Sequence, residues 1–264
     1  MNEGGVPSIR ARLQAALDES FSEGASDTRA ARVLLDDVDG VLATLAGNDA
    51  TLCRLAGQLA HRGVGDVDRA LRYLDAALEA DAELVEAWIA KGVALTEARR
   101  YEDAIACFKR ATVLRPDEAE AHYLHAVALV AMERFPEALD EVESAIAMRR
   151  DHLPWWQTRL DLIGRLGDEA RRERWYDEVA ELVRDDEAGQ TTLLTQMWSM
   201  NAVDRVSVQL DRAALFLRLG KLDDARAALE SAAVGPSCQD EALVARARTI
   251  EARIAGSATK PAGE

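Results

Sequence analysis

Two histidines, His122 and His125, stand one helical turn apart and so share a face on any helix that carries them. Paired imidazoles at this spacing are what a metal site uses. The only other candidate ligands are His152 and Cys107, and neither falls in register with the pair. We therefore assign no metal ligands. Asp37-Val38-Asp39-Gly40 has the flavour of a calcium loop. However, Leu35 and Ala46 occupy the positions where such a loop needs its first and last carboxylates. The sequence has no Gly-rich phosphate loop, no GxSxG elbow and no HExxH. With four histidines and no arrangement resembling a triad, no catalytic residue and no cofactor is expected, and the chain is read as a non-enzyme.

Other residues point to recognition. Pro154-Trp155-Trp156 places a proline where a first helical turn tolerates it. The two indoles lie about 100° apart around the helix. Trp155 is thus either a packing residue or an anchor for a partner. Arg149, Arg150, Arg159, Arg165, Arg171, Arg172 and Arg174 make one stretch locally basic, either a grip for an acidic group or a solvated face paired with Asp151, Asp168, Glu169 and Glu173.

These residues are positioned by a pattern that recurs about every 34 residues, a period that belongs to stacked helical hairpins. Trp88, Gly92, Leu95, Tyr101, Ala104, Phe108, Ala111 and Leu114 are followed at that interval by His122, Ala126, Leu129, Phe135, Ala138, Val142, Ala145 and Met148. Size and apolar character are kept at nearly every step. Copies are expected at 49–84, 85–118, 119–152 and 153–186. The first fits only with a turn, His61 to Asp66, about two residues longer than usual. The fourth departs at Glu169 and Arg172, where its predecessors carry an aromatic residue and Ala.

Outside the copies, residues 1–48 read as a helical cap or degenerate repeat, with Ser8 capping one helix and a second running to Leu45. Residues 187–205 hold a linker and an inserted amphipathic helix at 190–204, either a lid lying in a groove or a spacer. A further repeat with a capping helix spans 206–255, and 256–264 forms a disordered tail.

Composition agrees. The chain has 264 residues, 48% hydrophobic and only 5% aromatic. It is rich in Ala and Leu, which favour helix over strand. The expected fold is an all-α right-handed superhelical solenoid of antiparallel helix pairs. A net charge of −15 repels phosphate backbones and anionic lipid, so nucleic acid is excluded as a default partner. Three scattered cysteines make no disulfide framework. With no apolar run near the ~20 residues of a membrane span and no visible signal peptide, a cytoplasmic location is expected.

The motif formed by Trp88, Gly92, Leu95, Ala104, Phe108 and Pro116 resembles the tetratricopeptide repeat family, with Lys91 in place of the usual Leu and Leu95 in place of the usual Tyr. The resemblance implies a scaffold or adaptor whose first helices line a concave peptide-binding groove. The lining would be Glu86, Ile89, Val93 and Thr96, then Glu120, Tyr123, Val127 and Val130, then Gln157 and Asp161. Such a groove is apolar with acidic edges. It suits a protein or peptide partner carrying aliphatic and basic residues. The alternatives are a self-associating homo-oligomeric array and a metal-binding or enzymatic protein centred on His122 and His125.

Overall fold

The computed structural model describes residues 5–21, 28–44, 49–186, 188–189, 205–232, 234 and 240–258. Among these every regular element is helical. The chain divides into two compact units, Met1–Met148 and Arg149–Glu264.

The first unit opens with α1 (Gly5–Phe21) and α2 (Thr28–Leu42). Ser8 lies inside α1 rather than capping it, and α2 runs through Gly40 and stops short of Leu45. Both helices cover α3 (Ala50–Leu59), with Leu13, Leu35, Leu52 and Leu59 fully buried between them. Three hairpins follow: α3 with α4 (Val67–Ala80), α5 (Val85–Glu97) with α6 (Tyr101–Leu114), and α7 (Ala119–Ala131) with α8 (Phe135–Met148).

Each hairpin closes at a fixed point. The residue before the second helix's N-cap takes a left-handed backbone at Gly65 (φ 74°), Arg99 (57°) and Glu133 (57°), one repeat period apart each time. This is the C-terminal stop that glycine adopts without strain and that arginine and glutamate adopt at a cost. Hairpins close tightly because a small residue faces a large one. A Cβ on Gly92 would lie 2.6 Å from the Phe108 ring, and one on Gly57 would lie 2.7 Å from Leu74 Cγ.

That second pair corrects the reading of the first copy. Leu74 precedes Phe108 by the common interval, but Gly57 precedes Gly92 by one position more. The turn itself keeps the common length, as Gly65 stays in register. The surplus is a single residue, taken up inside the first helix as a π-helical turn over Ala60–Val64.

The second unit contains α9 (Leu153–Leu166), α10 (Glu169–Leu182), α11 (Arg205–Arg218), α12 (Leu222–Ala232) and α13 (Glu241–Ala258). Gly167 (φ 66°) again sits one period after Glu133, and Asp168 caps α10 by accepting from Arg171 N at 2.9 Å. Arg172 is buried in the slot that Ala104 and Ala138 fill elsewhere. Gly164 opposite it leaves room, and Glu169 binds its guanidinium at 2.6 Å. The last helix is tied down by a buried polar cluster in which Tyr176 donates to Asp211 at 2.5 Å and Arg246 reaches both. That helix includes residues 256–258, the start of the expected tail. The amphipathic segment 190–204 and Cys238 lie outside the described residues.

Candidate functional site

The first helices of the three hairpins in the first unit carry a cavity of about 510 Å³. Among its walls are Glu86, Ile89 and Val93 on α5 and Glu120 and Leu124 on α7. Four of these are residues expected to line a groove, and Leu124 is an addition. Tyr123, Val127 and Val130 follow Glu120 along α7 at helical spacing, outside that cavity, with Val127 36% exposed. Thr96 is half-buried and spends its hydroxyl on Gly92 O at 2.9 Å.

The wall contributed by α3 falls outside the expected set. With the longer offset between Gly57 and Gly92, Arg54, Gln58 and His61 are the counterparts of Ile89, Val93 and Thr96. Gln58, His61 and Arg62 border the cavity, so this wall is polar and cationic rather than apolar. Arg54 donates to Gln58 at 2.6 Å, and His61 Nε2 lies 2.8 Å from a Glu97 oxygen at the end of α5. Arg115, from the turn before α7, donates to Glu86 at 2.9 Å and Glu118 at 3.0 Å, so part of the acidic edge is neutralised from within. Burial works against ionisation of Glu86. Its own backbone N–H, Arg115 and the more distant Arg54 outweigh that and hold the carboxyl below its usual range. Burial lowers the pKa of the Arg54 guanidinium, with Glu86 opposing. The sequence signal for this wall is the misfit of the first copy, which the longer offset resolves.

The remaining expected residues belong to the second unit. Gln157 is 8% exposed and gives no surface to a groove, and Asp161 is engaged by Arg165 at 2.8 Å. Trp155 is not an exposed anchor. It is 3% exposed, its ring 4.3 Å from that of His152 and under the Arg149 guanidinium at 5.3 Å. The arginine run is largely consumed in the same way. Arg159 pairs with Glu178, Arg171 with Asp168 and Arg172 with Glu169, while Arg150 lies over Trp156. The Arg171 pair is half-exposed and contributes little, whereas Arg159 and Arg172 are buried.

His122 and His125 both turn Nδ1 toward Glu141 on α8, at 2.7 Å and 3.1 Å. Among the described residues no group of three or more His, Cys, Asp or Glu is arranged to hold a metal ion. The described thiols, Cys53 and Cys107, are buried, and burial pushes both up to about 11, far from the thiolate form that reactions need.

The small-on-large packing at a fixed period agrees with comparison to known proteins. The tetratricopeptide repeat profile matches residues 59–119 and 95–152. Residues 59–152 are tetratricopeptide repeats. Such repeats in general mediate protein–protein interaction. Among curated proteins, bimA of Emericella nidulans is 37% identical over 84 residues, which is 31% of this chain and 10% of bimA, so the chain spans about a tenth of that relative. Two solved tetratricopeptide-like structures share the fold at low identity. MamA from Desulfovibrio magneticus RS-1 has a TM-score of 0.58 at 18% identity over 71% of this chain and 99% of its own. YrrB, described as having an unusual peptide-binding site, has a TM-score of 0.52 at 16% identity over 80% and 97%. Among the described residues, no helix is long and apolar enough to cross a membrane.

Proposed function

We propose that this chain is an interaction module whose first unit captures a short segment of a partner protein in the groove over α3, α5 and α7. The observation that carries this reading is the shared cavity, to which three successive first helices contribute Gln58, Glu86, Ile89, Val93, Glu120 and Leu124. The walls are held by packing and ion pairs already present, so little ordering cost falls on the receptor. Ile89, Val93 and Leu124 favour aliphatic side chains. The unit has 27 Asp and Glu against 15 Lys and Arg, which favours a segment bearing Lys or Arg. No residue is assigned a catalytic role.

Selection of a displayed random-peptide library on the full chain tests this. Sequences combining aliphatic residues with Lys or Arg should be enriched. Val93→Glu and Leu124→Glu should each weaken the best peptide at least tenfold without loss of helicity by circular dichroism. Enrichment of acidic peptides, or unchanged affinity in both variants, would overturn the reading.

A further inference from the structure

The ring slot at the start of each hairpin has a recurring bond. Trp88 Nε1 donates to Ala82 O at 2.9 Å and Trp156 Nε1 donates to Arg150 O at 2.8 Å. His122, in the same slot, places Nε2 3.2 Å from Pro116 O, the carbonyl at the matching position. An indole has one nitrogen and its needs end there. The imidazole has a second, and Nδ1 lies 2.7 Å from Glu141 Oε2. A carbonyl and a carboxylate both accept only, whereas a neutral imidazole donates through one nitrogen alone. Both contacts are hydrogen bonds only when both nitrogens carry protons.

The following slot repeats the theme. Lys91 and Arg159 are permanent cations, 5.8 Å and 5.6 Å from the Trp88 and Trp156 ring centroids and paired with Asp75 and Glu178. In the middle copy the cation is replaced by His125. It is 3% exposed, with Nδ1 3.1 Å from the other Glu141 oxygen but poorly aligned for a hydrogen bond.

We propose that His122 is an imidazolium in the folded chain and that, with His125 on the same carboxylate, it makes residues 119–148 a proton-dependent hairpin between permanently charged neighbours. Among the described charged groups near it, Glu141 supports a cation directly. On its own helix are His125 and Glu118, and α8 supplies Glu141 and Glu137. Glu137 is itself paired with Arg134 and feels Lys109 on α6 and His125 more weakly, and Glu86 on α5 is bound, like Glu118, to Arg115. The folded hairpin holds a proton that an unfolded imidazole, titrating near ~6.5, releases by neutral pH. The unfolded chain then binds fewer protons, so stability falls as pH rises. There is an acid limit as well. Burial raises the Glu141 pKa, but the adjacent imidazoles of His125 and His122 hold it below the usual carboxylate range, so its contribution is lost as pH falls through that lowered value.

The test is long-range ¹H–¹⁵N spectroscopy of the imidazoles in the full chain, with unfolding midpoints from pH 6 to 8.5. At pH 7.5 His122 should show two protonated nitrogens, and the midpoint should fall by roughly 2–4 °C across the range. His122→Trp with His125→Lys copies the preceding hairpin and should flatten that fall. A neutral, single-tautomer His122 at pH 7.5, or an undiminished slope in the double variant, would overturn the proposal. If the double variant does not fold, the wild-type spectrum decides alone.

Discussion

The hairpin of α3 and α4 and the hairpin of α5 and α6 are built on one plan and present different faces. Gly57 against Leu74 repeats Gly92 against Phe108, and Gly65 repeats the left-handed stop at Arg99. Yet the groove sides read Arg54, Gln58, His61 in one and Ile89, Val93, Thr96 in the other. The two hairpins teach that packing and surface are separately adjustable, since the seating pair is kept while other positions of the first helix change.

The sharpest way to break this parallel is to empty the seats. Phe108→Ala and Leu74→Ala should each destabilise the first unit, by about 3–5 and 2–5 kcal/mol in urea unfolding, because both are fully buried. A loss at Phe108 without one at Leu74 would show that the first hairpin does not share the plan. Filling the notches comes next. Gly92→Ala and Gly57→Ala drive a methyl into Phe108 and Leu74, at about 1–3 kcal/mol of overpacking. Gly92→Ala should cost the more, because the added carbon would meet three atoms of the Phe108 ring at 2.6, 2.7 and 2.9 Å. The smallest effects belong to the stops. Arg99→Gly and Glu133→Gly should each raise the stability by about 0.5 kcal/mol after the entropy of the unfolded glycine is subtracted, while Gly65→Ala should cost about 1 kcal/mol. Thermal melts of the three single variants read this out.

The all-α class, the period and the α5 wall were legible in the sequence because large and small residues recur where helices must meet. Gly92 and Phe108 are set by local spacing, whereas Glu86, Ile89 and Val93 were placed by the family resemblance. The α3 wall was not, because a constant repeat step assigns Gln58 rather than Gly57 to the close approach. The surplus residue is then expected in the turn, where insertions usually go. A single left-handed glycine, Gly65, shows that the turn had no slack. Trp155 was legible as pointing away from Trp156, but the choice between packing and anchoring was not, because its cover of His152 and Arg149 comes from residues outside the repeat's hydrophobic pattern. The groove's internal neutralisation was hidden for a similar reason, as Arg115 belongs to a turn and acts on Glu86, far back along the chain.

The π turn at Ala60–Val64 has an evolutionary consequence. One inserted codon advances everything upstream by a hundred degrees about the helix axis, and a helix that re-seats on its partner with a neighbouring small side chain then shows a new set of side chains to whatever it binds. Duplicated hairpins in such an array can therefore diverge in taste by a length change of one, long before their cores drift apart.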